Sequence, residues 1–169
     1  MFGDLQRSRR IAYTAVFIGL ITVGGWISVP FVPSPFTLQT FFVLLAGAVM
    51  KRDAVVPVAL YVLLGAAGLP VFHNGTSGIG VLLGPTGGYL IGFIVAALLA
   101  GLAYESSRPA IHMAGLAAAA VLILACGVVW LVVSTGMAPA VAFILGMLIF
   151  LPGDLVKAGA AYLVARHLP

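Results

Sequence analysis

The segment Ala54–Tyr104 reads AVVPVALYVLLGAAGLPVFHNGTSGIGVLLGPTGGYLIGFIVAALLAGLAY and contains no charged residue. Two other charge-free stretches flank it, Ile11–Met50 and Pro109–Gly153. Each stretch exceeds the roughly 20 apolar residues that cross the hydrocarbon core of a bilayer. Backbone polar groups in lipid must pair internally, and none of the stretches shows the alternating pattern of a barrel strand. We therefore expect several membrane-spanning α-helices in each stretch.

The composition excludes a water-soluble globule. Of the 169 residues, 63% are apolar and 7% are charged, which leaves too few polar side chains to cover a surface in water. The net charge is +4, but the basic residues are spread thinly and lie mostly at the ends of apolar runs. That pattern favours a role in membrane topology over nucleic-acid binding. Cys126 is the only cysteine, so the chain forms no internal disulfide.

Proline, glycine and charged residues divide the chain into six predicted spans. The last span is interrupted by Pro152-Gly153, which predicts that a short final helix begins at about 152–154 and that 137–150 form a short or re-entrant outer segment. We predict a single all-α transmembrane domain of six helices over residues 1–169. The spans lie near residues 10–29, 36–50, 54–69, 86–104, 110–133 and 137–166.

The basic residues also predict the orientation of the spans. All but one of them fall in alternate loops and at the two ends of the chain, and the intervening loops near 30–36, 70–86 and 134–138 contain no Lys or Arg. The positive-inside rule then places both termini in the cytoplasm of a multi-pass protein in the cell membrane. The basic residues assigned to the cytoplasmic side are Arg7, Arg9, Arg10, Lys51, Arg52, Arg108 and Arg166.

Asp154 and Lys157 interrupt the apolar sequence of the last span. Ionisable residues within membrane segments are energetically costly and often mark a path for a solute or an ion. Their spacing of three places both side chains on one helical face. A helix N-terminus with a lysine suits an anionic group, and the aspartate accepts N–H donors of a ligand. The alternative is a structural ion pair between helices.

Uncharged polar residues in the outer loops could orient the same solute. The loop Leu69–Gly88 contains six glycines together with Asn74 and Thr86, and glycine allows a close approach of the backbone to a ligand. It could also be a flexible connector. Thr37 and Gln39 enter the second span from the outer side and could line the same cavity, whereas the hydroxyl of Thr40 could instead bond to its own helix.

Two aromatic residues and two small residues have more than one interpretation. Trp26 and Tyr89 lie near the outer boundary of the membrane, where aromatic rings serve as interfacial anchors, although Tyr89 fits a pocket somewhat better. Ala15 and Gly19 form a small-xxx-small pair on the first helix. This pair could dock a partner subunit or pack against another helix of the same chain.

The sequence lacks the motifs of an ATPase or an enzyme. The glycine-rich loop is not followed by Gly-Lys-Ser or Gly-Lys-Thr, so we expect no ATP binding by this chain. His73, His112 and His167 fall in separate predicted regions, which argues against a shared metal site. No nucleophile motif and no paired acid and base point to catalysis. We expect no cofactor in this chain.

Three blocks of the sequence resemble the BioY family, the biotin-specific S components of energy-coupling-factor (ECF) transporters. They are VPSPFTLQT at Val32–Thr40, the segment Leu64–Gly88, and FLPGDLVK at Phe150–Lys157. The resemblance covers nearly the whole chain, and the elements occur in the family's order and spacing. It implies a six-helix membrane fold with both ends in the cytoplasm, which agrees with the orientation inferred from charge.

The resemblance also implies a ligand, partners and contact residues. The ligand is biotin, and the partners are a transmembrane coupling (T) subunit and two ATP-binding-cassette ATPases that supply energy from ATP. The partner-docking motif of the first helix is matched loosely by Ala15 and Gly19. Transport of another small vitamin or carboxylate is the alternative, and an intramembrane enzyme is a remote one. The residues implied to contact biotin are Asn74, Tyr89, Asp154 and Lys157, with Gln39 and Thr37 lining the pocket.

Overall fold

The computed structural model describes residues 2–168 of the chain. Along this range the chain forms eight α-helices and one small antiparallel sheet, in which Ser28 pairs with Thr37 and Val29 with Phe36. The helices are α1 (Phe2–Trp26), α2 (Gln39–Met50), α3 (Val55–Ala66), α4 (Ile79–Leu83), α5 (Gly87–Ala103), α6 (Pro109–Thr135), α7 (Pro139–Phe143) and α8 (Leu151–Ala165), and the strands are β1 (Ser28–Val29) and β2 (Phe36–Thr37).

The helices fall close to the predicted spans, but the first differs at both ends, since α1 begins at Phe2 rather than near residue 10. The first predicted span extends to residue 29, whereas α1 ends at Trp26 and the next residues form β1. The residue before a proline is disfavoured in helical backbone. Pro30 therefore favours the extended strand at Val29 over a further helical turn.

The last span is one helix with a widened turn. Its α-helical parts, α7 and α8, are joined by a π-helical turn at Ile144–Leu148. Pro152 has no amide hydrogen and its ring crowds the carbonyl one turn earlier, which favours a widened or irregular turn before it. The predicted start of the final α-helix is confirmed to within one residue. Residues 139–148 are helical, and the position of 137–150 relative to the membrane stays a prediction.

Within residues 2–168, two helices are long and apolar enough to cross a membrane by length and composition, Pro109–Thr135 and Pro139–Ala165. The helices α2 and α3 have 12 residues each, which corresponds to about 18 Å of helix. Many large apolar side chains are exposed, such as Val129, Val133 and Leu163, as expected of a surface that faces lipid. The count of six spans and their orientation stay predictions.

Helix α2 lies in the interior of the bundle and positions the site. It packs against α1, α5 and α8, and its buried residues include Gln39 and Thr40 at its first turn. Close packing of α2 against α5 depends on Gly47, since an added Cβ would lie 2.6 Å from the Cβ of Ala100. The first turn of α2 lines one cavity together with Tyr89 of α5 and Lys157 of α8.

Candidate functional site

A cavity opens where α2, α5, α6 and α8 meet beneath the segment that contains β2. Its volume is about 40 Å³, so the cavity is narrow. Six of the seven residues predicted to bind the solute line it: Thr37, Gln39, Thr86, Tyr89, Asp154 and Lys157. Its remaining lining residues are Ser34, Pro35, Thr40, His73, Leu90, Phe93, Ile123, Leu124 and Phe150.

The ion pair of Asp154 and Lys157 lies at the wall of this cavity. The side chains are 4% and 9% exposed, respectively, and the Lys157 Nζ donates to Asp154 Oδ1 at 2.7 Å. The same Nζ donates to the carbonyl oxygen of Thr37 at 2.7 Å. Lys157 thus uses one oxygen of the carboxylate, and the other oxygen of Asp154 can accept a hydrogen bond from a ligand.

The ring of Phe36 completes the surroundings of Lys157. The Nζ lies 4.1 Å from the centroid of this ring, a distance at which the ring's electrons attract a cation. Phe36 also stacks on Phe150, with centroids 5.4 Å apart. An added Cβ at Gly153 would collide with the Phe36 ring. The glycine after Pro152 is thus required for the approach of Phe36 to α8.

Gln39 is held at the start of α2 by polar contacts on both of its amide atoms. Its Nε2 donates to the hydroxyl of Tyr61, and its Oε1 accepts from the Thr37 hydroxyl at 3.2 Å. The backbone amide of Gln39 donates to the same hydroxyl at 3.3 Å. These contacts fix the amide in one orientation at the cavity wall, as recognition of a polar solute requires.

Tyr89 is part of the cavity wall, whereas Trp26 is not. Tyr89 is buried, and its hydroxyl donates to the carbonyl oxygen of Gly146 at 2.7 Å. Trp26 is 55% exposed, and its ring N–H donates to the carbonyl of Pro70 at 3.3 Å. The pocket interpretation of Tyr89 and the interfacial interpretation of Trp26 agree with these positions.

Asn74 lines a second, more open pocket next to the cavity, here called the vestibule, rather than the cavity itself. Its side-chain oxygen accepts a hydrogen bond from the Ser28 hydroxyl, and its backbone has a φ of 55°. The cavity and the vestibule share three lining residues, Pro35, His73 and Thr86. We call these three residues the neck. The remaining lining residues of the vestibule are Pro30, Phe31, Val32, Pro33, Thr76, Gly80, Val81, Gly84 and Pro85.

The sequence analysis did not identify three residues that shape the site: Phe36, Tyr61 and His73. Phe36 belongs to the VPSPFTLQT block that carries part of the family resemblance, and this position could have identified it as a site residue. Tyr61 lies in the middle of the apolar helix α3 and has no such signal. His73 was considered only as a metal ligand, and in the described part of the chain no group of three His, Cys, Asp or Glu residues is placed to hold a metal ion.

The two small residues on α1 lie on the surface of the helical bundle. Ala15 and Gly19 are both exposed, and an added Cβ at Gly19 would meet no atom within 4 Å. The alternative in which this pair packs against another helix of the same chain is therefore wrong.

A largely apolar cavity with a buried ion pair at its wall, inside a helical bundle with many exposed apolar side chains, is typical of a membrane protein that binds a solute. The family model described as "BioY family" matches residues 3–169, and the chain belongs to that family. The family predicted from the sequence is confirmed.

Similar proteins cover nearly the whole chain. A probable biotin transporter BioY from Pyrococcus horikoshii is 40% identical over 96% of this chain and 98% of its own length. The biotin transporter BioY from Thermotoga maritima is 43% identical over 95% of each chain. The crystal structure of an S-component for biotin from an ECF-type ABC transporter matches with a TM-score of 0.86 and 26% identity, covering 96% of this chain and 92% of that one.

Proposed function

We propose that this chain binds biotin in the cavity and serves as the substrate-specific subunit of an ECF-type transporter for biotin uptake. The observation that carries the proposal is the buried pair of Asp154 and Lys157, which lies beside Gln39 at the wall of an otherwise largely apolar cavity. Membership of the BioY family and the named biotin transporters among its relatives support the same ligand.

The ureido ring of biotin fits the polar end of the cavity. This ring is neutral and carries two N–H donors and one carbonyl acceptor. Asp154 offers a carboxylate oxygen that Lys157 does not use, and the Gln39 amide and the Lys157 ammonium lie at the same wall. The ion pair has no net charge, so a neutral ring adds no repulsion there, whereas a carboxylate would lie next to Asp154. We therefore place the ureido ring at α8.

The apolar part of biotin fits the remaining wall. Side chains of Leu90 and Phe93 on α5 and of Ile123 and Leu124 on α6 line the cavity, and burial of the bicyclic ring and the alkyl tail against them contributes affinity. The tail then leads past the neck, where Thr86 lies, to the vestibule, where Asn74 lies. Because the cavity is narrow, its walls have to move apart as the ligand enters.

Transport needs further subunits. The sequence has no phosphate-binding loop of its own, so we propose that a T subunit and two ATP-binding-cassette ATPases supply the energy of ATP hydrolysis. The outward-facing pair Ala15 and Gly19 on α1 offers a flat surface on which a helix of the T subunit could pack. In this proposal six spans cross the cell membrane, and both termini lie in the cytoplasm with the ATPases.

Equilibrium binding of labelled biotin to the purified chain in detergent tests the proposal. We expect saturable binding that Asp154→Asn and Lys157→Ala weaken by about ten-fold or more, since each variant removes a partner of a buried charged group. Glu105→Gln is the matched control, because Glu105 belongs to an exposed ion pair away from the cavity. Absence of biotin binding by the folded wild-type chain would refute the biotin assignment and favour another small solute.

A further inference from the structure

His73 occupies the neck between the cavity and the vestibule. Of the three neck residues, only His73 has a side chain that can carry a charge. It is also the only ionisable residue among those that line the vestibule in the described part of the chain. A solute that moves from the outside to the ion pair on α8 therefore passes the imidazole ring.

The turn that carries His73 is fixed by local contacts. Phe72 is fully buried, and its ring packs edge to face on Tyr61 with centroids 5.6 Å apart. The carbonyl oxygen of His73 accepts from the backbone amide of Thr76 at 3.1 Å and from its hydroxyl at 2.8 Å. The backbone at His73 is thus held between a buried aromatic anchor and a tight turn, which positions the ring at the neck.

The imidazole itself has unused hydrogen-bonding capacity. The Nδ1 atom of His73 is buried and has no hydrogen-bond partner among the described residues. A buried polar atom without a partner costs free energy, and a ligand group that pairs with it recovers that cost. The residue as a whole is half-buried and lines both the cavity and the vestibule, so a ligand at the neck can contact it.

We propose that His73 binds the carboxylate of the ligand at the neck. As a consequence, the preference of the site for an anionic ligand over a neutral one increases as the pH falls. The proposal rests on the proposed function, in which the ureido ring lies at α8 and the tail leads outward. It assigns the carboxylate end to a residue that differs from Asp154 and Lys157. The neutral imidazole donates one hydrogen bond to a carboxylate, and the imidazolium adds an opposite charge.

The surroundings of His73 set the sign of the pH effect. Burial lowers the pKa of His73 below its ordinary value of 6.5, and a bound carboxylate acts in the opposite direction. Binding of the anion is therefore coupled to proton uptake, and affinity for the anion rises as the pH falls through the pKa that His73 has in the complex. The other ionisable groups that line the cavity are Asp154 and Lys157 on α8 and Tyr89 on α5. On α3 Tyr61 bonds to Gln39, and α4 and the Thr22–Trp26 end of α1 carry no ionisable side chain.

Comparison of biotin with biotinamide tests the proposal, because the two ligands differ only in replacement of the carboxylate by a neutral amide. Their dissociation constants are measured for the wild-type chain, His73→Gln and His73→Asn. For the wild type we expect the ratio of affinities, biotin over biotinamide, to rise by about ten-fold between about pH 8 and about pH 6. In both variants we expect the ratio to become independent of pH. A pH effect that comes from any other group persists in His73→Gln and is thereby separated from the effect of His73.

The outcomes separate this inference from the proposed function. Biotinamide binding by the variants shows that they are folded. If biotin and biotinamide bind the wild type but their ratio does not change with pH, or changes equally in His73→Gln, the role of His73 is refuted while the biotin assignment holds. If the folded wild type binds neither ligand, the proposed function fails and the role of His73 fails with it.

Discussion

Gly127 on α6 lies directly against the ring of Tyr89 on α5, and an added Cβ at Gly127 would collide with that ring. The Tyr89 hydroxyl is bonded at the same time to the Gly146 carbonyl in the widened turn of the last helix. Tyr89 therefore connects three helical segments at the wall of the cavity, and its position depends on the absence of a side chain at Gly127.

Gly127→Ala should displace the Tyr89 ring. We expect the free energy of unfolding to fall by about 1–3 kcal/mol, as in other cases of overpacking, and the affinity for biotin to fall with it. The matched control is Gly159→Ala on α8, where an added Cβ meets no atom within 4 Å. That variant should be neutral or more stable by about 0.5–1 kcal/mol because alanine favours a helix. Thermal unfolding and biotin binding in detergent check both variants, and equal behaviour of the two would contradict the contact.

The pair of Asp154 and Lys157 allows a test that separates binding from structure. Lys157→Met alone leaves the Asp154 carboxylate buried without its cation, and we expect a loss of about 3–5 kcal/mol in the free energy of unfolding. Asp154→Asn together with Lys157→Met removes both charges and should recover most of that stability. A double variant that is stable but does not bind biotin supports a ligand site. Wild-type biotin binding by the double variant would mean that the pair is only structural.

Sequence reasoning located the polar part of the site because membrane interiors restrict where such residues can lie. Asp154 and Lys157 share a helical face by their spacing, and ionisable side chains in an apolar helix must turn away from lipid. Thr37 and Gln39 stand at the outer end of an apolar span, which placed them toward the same cavity. These inferences needed only the local sequence and the membrane as a boundary condition.

The aromatic part of the site could not be found in the same way. Phe36 reaches Lys157, and Tyr61 reaches Gln39, through contacts between elements that are distant in the sequence. An aromatic residue in an apolar segment can line a binding site, pack in the core or face lipid. The spacing of residues in the sequence alone does not distinguish these three positions. The continuous helix before Pro152 was missed for a related reason. A proline predicts a local break, but a widened turn accommodates it without ending the helix.

The pair of Arg52 and Glu105 predicts a change of stability with pH. Arg52 Nε and Nη2 donate to the two Glu105 carboxylate oxygens at 2.5 Å each, and these hydrogen bonds hold the pKa of Glu105 below its ordinary value of 4.5. Since the folded-state pKa is the lower one, the stabilisation is present above the unfolded value and is lost as the pH falls through the folded value.

Glu105→Gln should therefore lower the midpoint of thermal unfolding at about pH 7 and have little effect at about pH 3. Because the pair is exposed, the difference at neutral pH should be small and should decrease with added salt. Arg52→Gln is the matched variant, since it removes the same interaction from the other side. A difference between wild type and Glu105→Gln that stays the same across this pH range would contradict the assigned cause.

The outward-facing pair on α1 should matter for uptake and not for binding. Helices approach closely in a membrane where both surfaces carry small residues, so Ala15→Trp or Gly19→Trp should keep a T-subunit helix away while the cavity stays intact. We expect unchanged biotin affinity of the purified chain and uptake reduced by about ten-fold or more in cells that also produce the T subunit and both ATPases. Val129→Trp is the control, because Val129 is 66% exposed on α6 and lies away from α1 in the sequence. Equal loss of uptake in all three variants would point to a general effect of a bulky residue at the lipid-facing surface, whereas loss in the α1 variants alone identifies α1 as the docking helix.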